Sequence, residues 1–225
     1  MARTTTLSTL RSDIRSRADM DNSEFITDSE LNSYINASYA ELYDILVSRF
    51  EDYYTTTSSH SVASGASEFS VPADFYKLRG VDRQYSGNDY YSLSKFNFNQ
   101  RNFKNRRVSN SLWGTINVNY RLVGNNIELI PEDQASGTYR MWYVPACPVL
   151  SLDADTVDGV NGFEEYIVVD VCIKVLEKEE SDTTTFQRQK AALMKRIEEM
   201  AAQRDAGEPD RITDTVSWDS WWEEV

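Results

Sequence analysis

The sequence has little of what metal sites and disulfide frameworks require. Its 225 residues include one histidine and two cysteines. His60 stands in the polar stretch TTTSSHSVASG, with no cysteine or carboxylate at ligand spacing, so we interpret it as a surface residue. We expect Cys147 and Cys172 to be free buried thiols, because only an accident of geometry would pair them. The sequence therefore predicts no metal site and no cofactor.

Long apolar runs and catalytic signatures are also missing. No unbroken apolar stretch approaches the roughly twenty residues of a membrane-spanning helix, so we expect no membrane partner. The first stretch, MARTTTLSTLRSDIRSRADM, is amphipathic rather than apolar, and we expect the chain to be made and kept in the cytoplasm of its host. The sequence contains no P-loop, no GxSxG elbow, no dinucleotide-binding glycine pattern and no internal repeat.

Positive charge is scarce as well. The chain has 23 Lys and Arg against 36 Asp and Glu, which gives a formal net charge of -13. This charge argues against a protein that grips DNA phosphates over a broad face, but not against one that DNA slides past. Hydrophobic residues make up 40% of the chain and aromatic residues 12%, which excludes general disorder.

Helical patterns lie at both ends of the chain. Thr6 is the expected cap of a first helix, and Thr27 with Glu30 forms a capping box for a second helix that runs toward Phe50. Two more helices are predicted in GFEEYIVVDVCIKVLEKEES and after SDTTTF. The last of them carries a thin apolar stripe and ends at AGEP. The predicted stripe consists of Phe186, Leu193, Ile197 and Met200.

The middle of the chain has the short apolar alternations of strands. INVNYRL, IELI and TYRMWYV each alternate apolar and polar residues, and LRGVDRQYSGNDYYSL is predicted to be a hairpin that turns at residues 86–89. FNFNQRNFKN fits either one short helical turn or a loop. We therefore predict an α+β fold, mainly a bundle of about four helices with a β-rich insertion between the helix pairs and an extended C-terminal tail.

The predicted domains follow this division. Residues 1–52 and 159–206 are expected to form the helical core bundle, residues 53–158 the β-rich insertion, and residues 207–225 an acidic tail rich in tryptophan. Helices from the two ends are expected to close on each other, because neither pair alone can cover the apolar helix in GFEEYIVVDVCIKVLEKEES.

In this arrangement the chain resembles the head-to-tail adaptor (connector) proteins of tailed bacteriophages. The resemblance rests on FITDSELNSYINASYAELYDIL, VPADFYKLRGVD, FEEYIVVDVCIKVLEKEESD and RQKAALMKRIEEMAAQRDAGEPDRITD. It implies a helical core with a β-rich elaboration and a structural, non-enzymatic role in the virion neck. It also implies a ring of twelve copies beneath the portal protein, a C-terminal tail that docks on the portal, and a downstream tail or nozzle protein. Genomic DNA would pass through the ring without sequence-specific binding.

The C-terminal tail places three indole rings among acids. Residues 205–225 carry seven acids and one base, which gives -6. Trp218, Trp221 and Trp222 have the spacing of one helical face, so they either pack on their own bundle or anchor the tail in a partner. We favour the partner. The expected portal-docking residues are Ile212, Val216, Trp218, Trp221 and Trp222.

In contrast to the acidic tail, residues 95–107 contain five bases and no acid. The bases are Lys95, Arg101, Lys104, Arg106 and Arg107, and three phenylalanines lie between them. Bases with aromatic residues can bind single-stranded nucleic acid. We favour a contact with an acidic surface on a neighbouring subunit or a tail protein, with the phenylalanines packed under the strands.

Carboxylates are abundant, yet none is singled out as catalytic. Glu164 and Glu165 suit a helix N-terminus, and Asp170 can pair with Lys174 one turn later. The first hypothesis is therefore a head-to-tail adaptor that docks on the portal, extends the DNA channel and presents a surface for tail components. The alternatives are another neck or tail-completion ring protein, or a carboxylate-dependent hydrolase acting on cell-surface polymer.

Overall fold

A computed structural model describes residues 4–20, 25–50, 52–105, 118–158 and 162–202. The helices in this part of the chain are α1 Leu7–Arg17, α2 Asp28–Arg49, α3 Arg101–Asn105, α4 Glu165–Lys178 and α5 Thr184–Ala202. The strands are β1 Thr4–Thr6, β2 Thr56–Val62, β3 Glu68–Ser70, β4 Phe75–Ser86, β5 Asp89–Ser92, β6 Ser94–Lys95, β7 Asn119–Val123, β8 Asn126–Ile130, β9 Gly137–Pro145 and β10 Thr156–Asp158. Two short 3₁₀ turns complete the elements, Phe98–Gln100 and Glu132–Gln134.

The first two helices begin where the sequence predicts. The hydroxyl of Thr6 accepts a hydrogen bond from the backbone N–H of Thr9 at 3.2 Å, and that of Thr27 accepts one from the N–H of Glu30 at the same distance. Each bond satisfies an amide that the helix cannot pair, which is worth about 1 kcal/mol. The Glu30 carboxylate does not complete the capping box, because it accepts from Lys178 Nζ at 2.7 Å instead.

Helices from the two ends of the chain close on each other, as predicted. α4 is buried almost all round and packs against α1, α2 and α5. Their shared core includes Leu10, Leu42, Ile167 and Val171, each with at most 1% of its surface exposed. Burying each of these aliphatic side chains contributes about 1.5–3 kcal/mol.

The apolar stripe of α5 is only partly as predicted. Ile197 is fully buried and Phe186 packs against the bundle core. Met200, however, is 44% exposed, and Met194 packs against the core in its place. The apolar stripe therefore lies on the surface of α5 that α2 and α4 cover. The last turn of α5 is not part of this contact surface.

The described residues in the middle of the chain form two four-stranded sheets. The β9 sheet has the strand order β2-β9-β4-β5, and the β8 sheet has the order β3-β8-β7-β6. The predicted hairpin is β4–β5, in which Ser86 pairs with Asp89 across a turn where Gly87 has φ 55°. FNFNQRNFKN, which fitted a turn or a loop, contains the turn Phe98–Gln100 and the short helix α3.

The two sheets share one core and form a sandwich. In β9, Tyr139 and Met141 point inward and are fully buried, while Arg140 and Trp142 point to the outer face. Ile127 and Leu129 of β8 contribute to the same core from the other sheet. Strict alternation along β9 thus divides its side chains between the core and an outer surface.

Sandwich and bundle meet through β9 and α2. Val144 lies on the outer face of the β9 sheet but is fully buried, because it packs against Tyr43 and Val47 of α2. The Tyr43 hydroxyl also donates to the backbone oxygen of Pro145 at 2.7 Å. A small two-stranded sheet, in which β1 pairs with β10, ties the N-terminus to the segment before α4.

The expectation of a mainly helical bundle is wrong, although the α+β class holds. The structure is 42% helical and 30% strand, with three sheets of two to four strands and five helices in its described part. The error has a physical origin. Sequence patterning predicts the β-rich segment to be an insertion on a helical core, whereas its two sheets bury a hydrophobic core of their own.

Candidate functional site

The described part of the basic segment, residues 95–105, lies next to the β8 sheet. Lys95 ends the edge strand β6, and α3 carries Arg101 and Lys104. The Arg101 guanidinium stands 4.4 Å from the Phe98 ring centroid, and Lys104 Nζ donates to Oδ1 of Asn119 at 3.2 Å. Arg106 and Arg107 lie outside the described residues.

The phenylalanines of this segment do not all pack under the strands. Phe96 is buried, with 1% of its surface exposed, as predicted. Phe98 is 41% exposed and Phe103 is 72% exposed, so the prediction is wrong for both. Arg121, which sequence reasoning missed, lies 5.7 Å from the Phe98 ring and donates to the backbone oxygen of Phe96 at 2.9 Å. The structure thus exposes an aromatic ring between two guanidinium groups.

A polar cleft of about 270 Å³ separates α3 from β3 and β8. Arg101 lines it together with the carboxylates Glu68, Glu128 and Glu132. Glu68 and Glu128 are directly opposite each other across the β3–β8 pair. The acids offset much of the local positive charge, so this surface is mixed rather than uniformly basic.

The outer face of the β9 sheet holds a second cluster, centred on Asp82. Asp82 Oδ2 accepts from the indole N–H of Trp142 at 2.7 Å and from Arg140 at 2.9 Å, while Oδ1 accepts from the Ser92 hydroxyl at 2.9 Å. Burial alone would raise the pKa of Asp82, but these three hydrogen bonds outweigh burial and lower the pKa below its ordinary value. The carboxylate is therefore held ionised.

Arg140 is fixed between two aromatic rings. Its guanidinium lies 4.1 Å from the Tyr90 ring centroid and 4.9 Å from that of Trp142. Trp142 is 36% exposed and stands opposite Gly80, where an added Cβ would meet nothing within 4 Å. The cluster of Tyr90, Arg140 and Trp142 thus presents rigid aromatic area beside an open strip of sheet. A hint in the sequence was the alternation RMWYV, which puts Arg140 and Trp142 on the same face.

The remaining candidate residues are structural or lie outside the described part. Asp170 pairs with Lys174 at 2.7 Å as expected, and Glu165 pairs with Arg17 of α1. His60 is half-buried rather than a simple surface residue, because its ring stacks on Phe69 at 4.5 Å. The tail residues Ile212, Val216, Trp218, Trp221 and Trp222 lie outside the described residues.

Both thiols are free in the structure. Burial raises the pKa of Cys147 and of Cys172 to about 12. Cys172 is fully buried, as predicted, whereas Cys147 is only partly buried. Among the described residues, no group of three or more histidine, cysteine or acidic side chains is placed to hold a metal ion. The described helices include none that is long and apolar enough to cross a membrane.

One family model matches nearly the whole chain. The SU10 adaptor protein family matches residues 5–213, which include the bundle helices and both sheets of the sandwich. No curated protein matches the chain. A family of phage head-to-tail adaptors implies contacts with other head or tail proteins and a place in the virion neck. The chain belongs to the SU10 adaptor protein family and is a structural adaptor of a bacteriophage.

Proposed function

We propose that this chain forms a ring that docks on the portal protein, extends the DNA channel and provides the attachment surface for the next tail component. The family match over residues 5–213 carries the proposal. A ring of twelve copies is what the resemblance to phage connectors implies. The portal above, genomic DNA in the channel and a downstream tail or nozzle protein are the proposed partners.

The tail is the proposed portal-docking element. Residues 205–225 carry -6 of the chain's net charge of -13, so the rest of the chain carries -7 and repels the tail rather than favouring its collapse. Trp218, Trp221 and Trp222 provide large apolar anchors, and tryptophan is prominent among the residues that dominate interface energies. Loss of one anchored indole costs about 2 kcal/mol, or roughly thirtyfold in affinity.

The sandwich is the proposed attachment surface. Tyr90, Arg140 and Trp142 combine three residue types that are enriched at interface hot spots, and Asp82 holds two of them in place. A rigid cluster loses little side-chain entropy on binding, which favours affinity. The basic residues Lys95, Arg101, Lys104, Arg106 and Arg107 remain proposed contacts to a neighbouring subunit or a tail protein.

The channel is proposed to be lined by acidic or neutral side chains. A basic lining would hold DNA phosphates and slow ejection, and the surplus of acids lets the chain avoid one. An assembled ring in which Arg101, Lys104, Arg106 and Arg107 all line the narrowest part would contradict this proposal.

Two variants separate the docking and attachment roles. A chain lacking residues 212–225 should keep its circular dichroism but fail to co-sediment with portals. Trp142→Ala should bind portals normally but recruit the next tail component more weakly. If the truncated chain binds portals as well as the full chain, the tail does not dock there. Electron microscopy of virions that places the chain away from the portal would favour another neck or tail-completion ring.

A further inference from the structure

In the part of the chain that the structure describes, the two sheets of the sandwich have four edge strands, and three of them carry features that block pairing with another chain. β3 has three residues and includes Glu68, and β6 has two residues and includes Lys95. β5 has four residues, begins with Asp89, and pairs with β4 across a register irregularity. Short length, charge and irregular pairing are the usual means by which proteins protect sheet edges.

β2 has none of these features. It is seven residues long and pairs with β9 without a register shift, from Thr56 opposite Tyr143 to Val62 opposite Gly137. Its sequence, TTSSHSV, contains no charge, no proline and no glycine. Within the described part of the chain, β2 ends the order β2-β9-β4-β5, so its outer edge faces no further strand. Such an edge is a ready template for strand addition.

The side chains of β2 suit an added strand on both faces. On the outer face, Ser59 and Ser61 are small, polar and exposed. On the inner face, His60 is half-buried, stacks on Phe69, and shares a 2.7 Å hydrogen bond between its Nε2 and the Ser58 hydroxyl. The partly exposed ring of His60 therefore lies at the edge of the sandwich core. A neighbouring strand with apolar side chains on its inner face would bury this ring further.

We propose that β2 accepts an added strand from a second copy of this chain, formed by residues 212–216. Four of these five residues, Ile212, Thr213, Thr215 and Val216, are β-branched and suit a strand. The inference rests on the proposed ring, which puts copies side by side. It moves Ile212 and Val216 from the expected portal contact to the contact with β2. The three tryptophans of the tail stay available for the portal.

Charge and chain length favour this occupant. The tail is acidic and includes Asp214, which Glu68 of β3 or Asp89 of β5 would repel, whereas β2 is uncharged. Nine residues separate the end of α5 at Ala202 from Ile212, a reach of roughly 30 Å when extended. Gly207 and Pro209 in this linker disfavour continuation of the helix.

A peptide experiment tests the pairing directly. The recipient is the full chain with Thr213→Pro and Thr215→Pro, which removes the strand-forming capacity of its own tail. The probe is a synthetic peptide of residues 209–218 at about 1 mM, near the effective concentration that a short linker supplies. Amide hydrogen exchange in residues 56–62 should slow at least about tenfold with the peptide, because strand pairing protects amides.

Variants of the recipient identify the edge. Ser61→Glu places a negative charge on β2 opposite the uncharged Thr138, and it should abolish the protection because it repels the acidic peptide. The matched control, Ser70→Glu, places the same charge on β3 and should leave the protection intact. No slowing in the recipient, or equal slowing in the charged β2 variant, would overturn the proposal.

The unmodified chain tests which copy donates the strand. Protection of residues 56–62 should rise with protein concentration and be strongest in the assembled ring. Protection that is complete and independent of concentration would mean that each tail pairs with its own β2, which would overturn donation by a second copy.

Portal binding separates this inference from the proposed function. The Thr213→Pro and Thr215→Pro chain keeps its three tryptophans, so it should still co-sediment with portals. If portals bind but β2 is never protected, the strand addition fails alone. If β2 is protected by the peptide but portals do not bind the full chain, portal docking fails alone.

Discussion

Replacing Asp170 by alanine removes the acid at which α2, α4 and α5 meet. Asp170 is 3% exposed, and its two oxygens accept from Ser38 Oγ at 2.5 Å, Lys174 Nζ at 2.7 Å and Lys190 Nζ at 2.7 Å. Breaking a buried ion pair typically costs about 3–5 kcal/mol. The lysine side chains are 31% and 24% exposed and regain some water, so we expect a loss of about 2–3 kcal/mol.

Urea unfolding followed by circular dichroism at the helical band measures this loss. With a slope of about 2 kcal/mol per molar urea, the midpoint should fall by roughly 1 M. Asp170→Asn keeps the side-chain volume and a partner for Ser38, so it should lose only about 1–2 kcal/mol. The control is Lys195→Ala, which breaks an exposed pair with Glu199 at 3.8 Å and should change stability by less than about 0.5 kcal/mol.

The pH dependence of the stability lost in Asp170→Ala follows from the direction of the pKa shift of Asp170. Burial alone would raise the pKa of Asp170, but the hydrogen bonds from Lys174, Lys190 and Ser38 outweigh burial and lower the pKa in the folded state. The stabilisation is therefore present above the ordinary pKa of about 3.9 and is lost as pH falls through the lowered value. The difference in the free energy of unfolding between the natural chain and the alanine variant should have its full value at pH 7 and shrink below about pH 4. The reasoning would be refuted by a difference in the free energy of unfolding that is unchanged at pH 2. It would also be refuted if Asp170→Ala were no less stable than Lys195→Ala.

Three further measurements test local features. Thr27→Ala removes the cap of α2 and should lower the free energy of unfolding by about 1 kcal/mol in urea titrations, whereas an unchanged midpoint would show that the cap is dispensable. Cys147 and Cys172, whose pKa values burial raises to about 12, should react slowly with a thiol reagent at pH 8 and quickly in denaturant; rapid modification of Cys172 in the folded chain would contradict its burial. Burial also lowers the pKa of His60, the only histidine, so its NMR titration midpoint should lie below about 6.5. Because folding favours the neutral ring, His60 should reduce the stability of the fold as pH falls below that value. A midpoint at or above 6.5 would mean that the stack on Phe69 leaves the ring fully hydrated.

Local chemistry was sufficient to predict the four long helices, α1, α2, α4 and α5, but not the short helix α3. Thr6 and Thr27 cap helices because a hydroxyl at that position reaches an amide three residues later, a contact that needs no other part of the chain. The position of α4 follows from a long apolar stretch, and the β4–β5 hairpin from a turn sequence between alternating strands. Such features depend on neighbours within a few residues, so the sequence by itself determined them.

Pairing between distant segments was decided by the tertiary structure alone. Asp82 receives hydrogen bonds from Arg140 and Trp142, which lie 58 and 60 residues further along the chain. An alternating pattern indicates that a strand has two faces, but it does not identify the neighbouring strand or the face that is covered. For this reason the cluster around Asp82, the exposure of Phe98 and the open edge of β2 required the structure. The same limit explains why the expectation of a mainly helical bundle is wrong within the correct α+β class. The separate core of the sandwich exists only once β9 lies between β2 and β4 and the two sheets face each other.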